Sequence, residues 1–159
     1  MIKKKNEKYM RLAIQEARKN IERMEGGPFG ACIVKNNRVL AVARNTVLKS
    51  DASAHAEINA IRLASRKVRS FDLSGCVIYS TTEPCPMCFS AIHWAGIDVI
   101  VYGTTIADAK KIGFNELRIS ALAMKKNGKS RVKLFSNFLH SECLKLMQDW
   151  SVQDNKTLY

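Results

Sequence analysis

Two short motifs, which lie thirty residues apart, constrain this chain more than any other feature of its sequence. They are His55-Ala56-Glu57 and Pro84-Cys85-Pro86-Met87-Cys88. Histidine and cysteine are common Zn²⁺ ligands, and a catalytic zinc keeps three protein ligands and leaves its fourth position to water. An ion held by both motifs would force the two segments that carry them to meet in the fold. The sequence therefore predicts a zinc site formed by His55, Cys85 and Cys88.

Glu57 adds a proton carrier to this predicted site. Zinc lowers the pKa of a bound water from about 15.7 to near 7, so that hydroxide is available at neutral pH. Glu57 is too close to His55 in sequence to be an obvious fourth ligand, but it is well placed to move the protons of that water. The combination H-x-E and P-C-x-x-C is the signature of the zinc deaminases, in which the glutamate is the general acid and base.

Two other uses of the cysteine pair are open. A C-x-x-C segment also serves thioredoxin-like redox sites, although these need neither His55 nor Glu57. A closed structural zinc site needs a fourth ligand. The candidates for that ligand are Cys32, Cys76, Cys143 and His93. Cys32 and Cys76 lie in apolar, strand-like runs, where a free cysteine usually behaves as a small core hydrophobe, so the catalytic pattern fits better.

Size and composition predict one domain that spans residues 1–159. A chain of 159 residues is large enough for one core but not for two. No apolar run reaches the length of a membrane span, and residues 1–7 lack the apolar stretch of a signal peptide. Five cysteines, two of them assigned to metal, leave an odd number, which suits a reducing cytoplasm better than a disulfide framework.

The net charge of +12 and the pI near 9.7 are typical of a nucleic-acid-binding protein. The positive charges are scattered, however, over residues 3–5, 66–69, 110–111 and 125–133. No aromatic residues alternate with them to form a stacking platform for single strands. The charge pattern therefore favours a solvated basic surface, with tRNA as the alternative partner.

Hydrophobic spacing predicts alternating helices and strands. Helices are expected over residues 6–24, from about 54, from the cysteine motif onward, near 106–112, near 116–126 and over 139–150. Strands are expected at 31–34, 39–43, 76–79, 99–102 and 132–135, with a tight hairpin turn at Asn36-Asn37. This alternation indicates an α/β sheet with crossovers. Both zinc motifs then fall at helix N-termini, where the positive end of the helix dipole favours thiolates.

The whole chain resembles the cytidine deaminase superfamily, and within it the bacterial guanine deaminases and plant guanosine deaminases. The blocks that carry the resemblance are residues 26–31 (GGPFGA), 54–57 (AHAE), 83–88 (EPCPMC), 91–94 (AIHW), Gly113-Phe114, and the tail with Glu142, Trp150 and Tyr159. The first three blocks are shared with tRNA adenosine deaminases, and the tail favours guanine. The resemblance implies a three-layer α/β/α sandwich around a mixed five-stranded sheet. It also implies a homodimer whose tail, from about 139 to 159, is exchanged between subunits.

The resemblance also assigns roles to individual residues. His55, Cys85 and Cys88 would bind zinc, and Glu57 would shuttle protons. The implied substrate contacts are Phe29, Asn45, Trp94, Asn115 and Tyr159, with Tyr159 as a lid, and His93 and Trp94 in the pocket wall. Glu142 would be a second catalytic carboxylate near the leaving amine. The chain departs from the family at Asp51-Ala52-Ser53, in a loop before His55 that is one residue short, and at Asn115-Glu116, where guanine deaminases tend to carry aspartates.

The reaction implied is hydrolysis of guanine to xanthine and ammonia, with a nucleobase or nucleoside as the small-molecule partner. The nearest alternatives are a guanosine or cytosine deaminase, which would differ only in pocket contacts. A tRNA-specific adenosine deaminase would show strong salt dependence and activity on an anticodon stem. A zinc or nucleic-acid-binding module without activity would contain metal but release no ammonia.

Overall fold

The computed structural model describes residues 6–159, so that the basic residues at 3–5 lie outside it. The strands are β1 (Gly30–Lys35), β2 (Arg38–Arg44), β3 (Cys76–Thr82), β4 (Val99–Thr104) and β5 (Lys133–Phe135). The helices are α1 (Glu7–Arg23), α2 (Ala56–Val68), α3 (Pro86–Trp94), α4 (Ile106–Lys111), α5 (Ala121–Asn127) and α6 (His140–Ser151). The sheet has the order β2-β1-β3-β4-β5, and β1 runs antiparallel to its neighbours while β3, β4 and β5 run parallel.

The two faces of this sheet pack against different helices because successive strand residues point to opposite faces. Ala31 and Ile33 of β1 belong to the core shared with α2, α3 and α5. Cys32 and Val34 belong to the core shared with α1 and α6. The predicted α/β class with a mixed five-stranded sheet between two helical layers is confirmed. None of the helices between residues 6 and 159 has both the length and the apolar character needed to cross a membrane.

Local signals explain where the elements turn and begin. The β1–β2 hairpin turns at Asn36 and Asn37, which have φ values of 50° and 62°, as their sequence predicts. The predicted helix near 116–126 is wrong at its start, because α5 begins only at Ala121. The Ser120 hydroxyl accepts a hydrogen bond from the Ala123 N–H and caps the helix there. Residues 112–120 therefore form an irregular connection between α4 and α5, called the 112–120 loop below.

The strand directions bring distant parts of the chain to one edge of the sheet. In the register of β1, Gly30 pairs with Arg44 and Ala31 pairs with Ser80, so the start of β1 and the ends of β2 and β3 lie side by side. Phe29 precedes β1, Asn45 follows β2 and Cys85 follows β3. The parallel strand β4 ends at the same edge and leads into α4. A cavity at this edge collects residues that are far apart in sequence.

Candidate active site

His55, Cys85 and Cys88 bring three possible metal-ligand atoms within 4.8 Å of one another. His55 is the N-cap residue of α2, and Cys85 is the N-cap residue of α3. The His55 Nδ1 lies 3.7 Å from the Cys85 sulfur and 3.5 Å from the Cys88 sulfur. The N-termini of the two helices therefore face a common point, as the two motifs predicted.

The pKa values of the two cysteine thiols are shifted in opposite directions. Hydrogen bonding with Cys88 lowers the pKa of Cys85 to about 4. Hydrogen bonding with Cys85, together with burial, raises the pKa of Cys88 well above its usual value. Two sulfurs with an imidazole nitrogen form a donor set that suits Zn²⁺. The group could therefore hold zinc, and within residues 6–159 no other histidine, cysteine or carboxylate joins it.

The candidates for a fourth structural ligand lie elsewhere. Cys32 and Cys143 are buried in the core between the sheet and α1 and α6, where burial raises the pKa of each to about 12. Cys76 is fully buried in the opposite core. His93 Nδ1 lies 3.0 Å from the Ser130 hydroxyl and is engaged there. The described residues thus give three ligands, the number that a catalytic zinc site takes from the protein.

Glu57 is buried directly beside the metal-ligand group. The Ser80 hydroxyl donates a 2.9 Å hydrogen bond to Glu57 Oε1, and the Cys88 sulfur lies 3.5 Å from Glu57 Oε2. Burial raises the pKa of the Glu57 carboxyl above its ordinary value, because removal from water disfavours the charged form. A carboxyl group that is fixed at one oxygen and has a raised pKa is suited to accept and release a proton during a reaction.

A cavity of about 130 Å³ opens in front of these residues. Its lining contains most of the residues that the sequence assigned to the site, together with residues that it did not. The lining residues are Phe29, Asn45, His55, Glu57, Thr82, Glu83, Cys85, Phe114, Asn115, Glu116 and Tyr159. The structure therefore brings Phe29, Asn45, Asn115 and Tyr159 to the metal-ligand group.

Glu142 and Trp94 are not among the residues that line this cavity. Glu142 lies on α6 with its side chain 43% exposed, and it accepts two hydrogen bonds from the Arg11 guanidinium. This pairing lowers the pKa of Glu142. The buried face of α6 contains Cys143, Leu146, Met147 and Trp150, so the preceding position turns outward. Trp94 ends α3 and is 79% exposed, and its neighbour His93 faces Ser130.

Four lining residues were missed as site residues from the sequence, namely Thr82, Glu83, Phe114 and Glu116. Glu116 lies in the 112–120 loop, where burial and the nearby Cys85 thiolate raise the pKa of its carboxyl to about 7. Phe114 packs edge-on against Phe29 and stacks on Trp150, with ring centroids 4.8 and 5.2 Å away. The available signal was Ser120: placing the helix start after this N-cap residue would have left Glu116 in a loop.

The end of the chain closes the cavity. The Tyr159 hydroxyl accepts a hydrogen bond from the Gly27 N–H at 2.9 Å and donates one to Asn45 Oδ1 at 2.8 Å. The Tyr159 ring packs edge-on against Phe114, and its main-chain oxygen accepts from the Asn115 N–H. The tail thus connects both sides of the cavity, from the loop before β1 to the 112–120 loop.

The sequence supplies an independent comparison for this geometry. Residues 3–104, which include both motifs and the strands β1 to β4, match the zinc-binding region of the cytidine and deoxycytidylate deaminases. The chain belongs to this deaminase family. The zinc-ligand group and the buried glutamate beside it are therefore the ones that the family motif describes.

Individual members of the deaminase family extend the similarity beyond the motif. Guanine deaminase of Bacillus subtilis (strain 168) is 35% identical over 155 residues, which cover 97% of this chain and 99% of that protein. A tRNA-specific adenosine deaminase of Buchnera aphidicola subsp. Schizaphis graminum (strain Sg) is 32% identical, covering 77% of this chain and 79% of that protein. The solved guanine deaminase from Nitrosomonas europaea is similar with a TM-score of 0.84 and 26% identity, covering 96% of this chain and 88% of that chain.

Proposed function

We propose that this chain is a zinc-dependent hydrolytic deaminase of a free purine base, and that it converts guanine and water into xanthine and ammonia. The observation that carries the proposal is the cavity beside the metal-ligand group, which Tyr159 bridges through its hydrogen bonds with Gly27 and Asn45. A small planar base can be enclosed there, whereas a polynucleotide strand would displace the tail. The similarity to the Bacillus subtilis guanine deaminase, which covers 97% of this chain and so reaches into the tail, supports the same substrate.

The reaction needs a nucleophile and a path for protons. His55, Cys85 and Cys88 would hold the zinc, which when bound lowers the pKa of a water molecule and so supplies the nucleophile at neutral pH. Glu57 takes a proton from the attacking water and gives it to the ring nitrogen beside the carbon that bears the amine. Ser80 holds one oxygen of Glu57, so that the carboxyl keeps a single orientation during both transfers.

Glu116 is the second carboxylate that we assign to the reaction, in the role that the sequence analysis gave to Glu142. It lines the same cavity as Glu57, and the pKa of its carboxyl is raised to about 7 by burial and the Cys85 thiolate. A buried carboxyl group whose pKa is raised can donate a proton to the departing amine and recover it afterwards. Glu142 is paired with Arg11 outside the cavity and cannot play this part.

Asn45 and the aromatic residues position the base. Asn45 Oδ1 accepts hydrogen bonds from the Tyr159 hydroxyl and the Val47 N–H, so the amide cannot turn over without losing both. Its Nδ2 takes part in no hydrogen bond between described residues and can donate to a carbonyl oxygen of the base. Phe29 and Phe114 offer apolar ring surface against which a planar purine packs.

One experiment tests the substrate. Zinc-loaded protein is incubated with guanine, guanosine, cytosine, adenine and a tRNA anticodon stem-loop, and released ammonia is measured, with Cys85→Ala as the inactive control. Guanine should give the fastest release. The basic net charge of +12 and the Buchnera relative favour a tRNA-specific adenosine deaminase as the second candidate. Faster release from the stem-loop, with a steep decrease as salt rises, would establish that candidate instead.

Exposed apolar side chains support the predicted homodimer. Trp94 on α3, Leu117 in the 112–120 loop and Leu122 on α5 are 79, 63 and 61% exposed, and α3 contacts α5. Such side chains commonly mark an interface between proteins. Light scattering on the zinc-loaded protein should give twice the mass of one chain, and Trp94→Glu should reduce it. The exchange of the tail between subunits and the cytoplasmic location stay predictions.

A further inference from the structure

Glu83 is a buried carboxylate that lines the cavity and hydrogen-bonds to two helix starts. It precedes Pro84 and Cys85, and it is only 8% exposed. Its Oε1 accepts a hydrogen bond from the Ala121 N–H at 2.8 Å, and its Oε2 accepts one from the Ile106 N–H at 3.1 Å. A buried carboxylate is costly unless it is hydrogen-bonded, and here both oxygens are used by main-chain amides.

These two amides belong to the first residues of two different helices. Ile106 begins α4 and Ala121 begins α5, so the chain between the two amides consists of α4 and the 112–120 loop. Glu116 lies in that loop. The Glu83 carboxylate therefore holds both ends of the segment that contains Glu116. Glu83 itself is only two residues before the metal ligand Cys85.

Neither helix depends on Glu83 for its capping. Thr105 and Asp108 form a reciprocal capping box at the start of α4. Ser120 caps α5 through the Ala123 N–H. Side-chain caps of this kind satisfy amides within one helix. Glu83 additionally holds the two helix starts at a set distance from each other. The segment between them, which includes the 112–120 loop, is therefore held at both ends.

We propose that Glu83 is a positioning residue for the deamination, and that it acts by holding Glu116 over the metal-ligand group. The inference rests on the proposed function in one respect, namely that Glu116 exchanges a proton with the substrate. In Glu83→Gln an amide NH₂ replaces one acceptor oxygen and faces a backbone N–H, so one of the two main-chain hydrogen bonds is lost. The segment that contains the 112–120 loop is then held at only one end, while the positions of the zinc ligands are unchanged.

A double-mutant cycle with Glu116→Gln tests this role. In the wild-type background, Glu83→Gln should lower kcat by about 100-fold, because a displacement of about 1 Å can cost that much. In the Glu116→Gln background the same change should lower kcat by less than about threefold, because coupled residues are not additive. Zinc content should stay at one per chain. Glu83→Asp keeps the charge but reaches only one amide, so its kcat should lie between those of the wild type and Glu83→Gln.

Ser120→Ala is the matched control. It removes a cap from α5 and should lower the melting temperature, but it leaves both hydrogen bonds of Glu83, so kcat should remain within about twofold of the wild type. Hydrogen exchange of the metal-free protein gives a second readout that needs no activity. In the Glu83→Gln protein, deuterium uptake in the 112–120 loop should rise. In the Ser120→Ala protein, uptake in the N-terminal part of this loop should stay near the wild-type level.

Three results would overturn the proposal. The first is a loss of kcat from Glu83→Gln that is the same in the wild-type background and in the Glu116→Gln background. The second is a loss of zinc from the Glu83→Gln protein, which would mean that Glu83 acts through Cys85. The third is unchanged deuterium uptake in the 112–120 loop. If wild-type protein deaminates another base, the cycle is measured on that base. If it deaminates none, the proposed function fails, and the exchange experiment alone decides whether Glu83 holds the loop.

Discussion

The two halves of the candidate site are built in different ways. The metal half consists of His55, Glu57, Cys85 and Cys88, which lie in the first turns of α2 and α3 or directly before them. The closing half consists of Asn45, Phe114, Glu116 and Tyr159, which lie in loops and in the tail. The metal half is placed by helices that pack on the sheet, whereas the closing half is placed by hydrogen bonds and ring contacts between distant segments.

This difference suggests separate roles for the two halves, with the metal half serving the reaction and the closing half controlling access of the substrate. Glu57 and Cys88 are almost entirely buried, so their positions follow from the packing of the core. Tyr159 depends on one hydroxyl, one main-chain oxygen and its contact with Phe114. Segments held by few contacts open at a lower free energy than the core does. We therefore expect changes in the metal half to abolish turnover. Changes in the closing half should alter substrate binding and choice, except at Glu116, where we expect a loss of turnover.

The largest effect should come from the metal ligands. Cys85→Ala and Cys88→Ala each remove one of three ligands, and both proteins should lose zinc and all measurable turnover. Metal analysis after dialysis, together with ammonia release, checks this. Cys143→Ala removes a buried thiol from the other core and should retain one zinc per chain. Full zinc occupancy in both ligand variants would show that the metal half has been assigned to the wrong residues.

Glu57→Gln should separate proton transfer from metal binding within the same half. The amide keeps the size of the side chain but cannot accept the proton, so kcat should decrease by about 10² to 10⁴ while zinc remains bound. KM for guanine should change little, because the contacts with the base come from the closing half. Steady-state kinetics and metal analysis give both quantities. A rate within tenfold of the wild type would mean that another group carries the proton.

The sequence predicted the metal half far better than the closing half, and the reason is physical. Its four residues lie in two local motifs at helix starts, so that spacing alone indicates the chemistry. Asn45 and Tyr159 are joined by a hydrogen bond across 114 residues, which no local pattern can indicate. The five-stranded sheet was predictable because alternating apolar runs and the Asn36-Asn37 turn are local signals as well.

The structure directs Glu142 away from the cavity for a related reason. Its distance from Trp150 along the chain matched the family pattern, but the direction of a helical side chain depends on which face of the helix is buried. Because α6 buries Cys143 and Leu146, Glu142 points to Arg11. Glu116 was hidden inside a segment predicted to be helical. A carboxylate in a loop can turn into a cavity whenever the rest of the fold holds that loop in place, and this information is not local.

Glu116→Gln and Glu142→Gln therefore form a direct contrast. Glu116→Gln should lower kcat by about 100-fold, since general acid–base catalysis contributes about 10² to 10⁴. Glu142→Gln should leave kcat within about twofold and cost only a little stability, because exposed ion pairs contribute little. Kinetics with guanine and thermal melting of both variants provide the test. The reverse ranking of the two rates would return the second carboxylate to α6 and remove Glu116 from the closing half.

A smaller effect than that of Glu116→Gln is expected from the Tyr159 hydroxyl. Tyr159→Phe keeps the ring against Phe114 but removes the hydrogen bonds to Gly27 and Asn45, so the Asn45 amide is less well oriented. KM for guanine should rise by about tenfold, as expected for a net loss of roughly 1.4 kcal/mol in hydrogen bonding, while zinc content stays the same.

Deleting Leu158 and Tyr159 should lower kcat/KM more than Tyr159→Phe does, because the deletion also removes the Leu158 side chain that packs beside Gly113 and the main-chain contact with Asn115. The truncated protein should still bind one zinc, because the metal half does not use the tail. Ammonia release from guanine and from an anticodon stem-loop is measured for all three proteins. If truncation leaves guanine turnover unchanged, the tail does not close the site. If truncation instead creates activity on the stem-loop, Tyr159 excludes the polynucleotide. The tail then controls which substrate enters, and the metal half carries out the reaction independently of it.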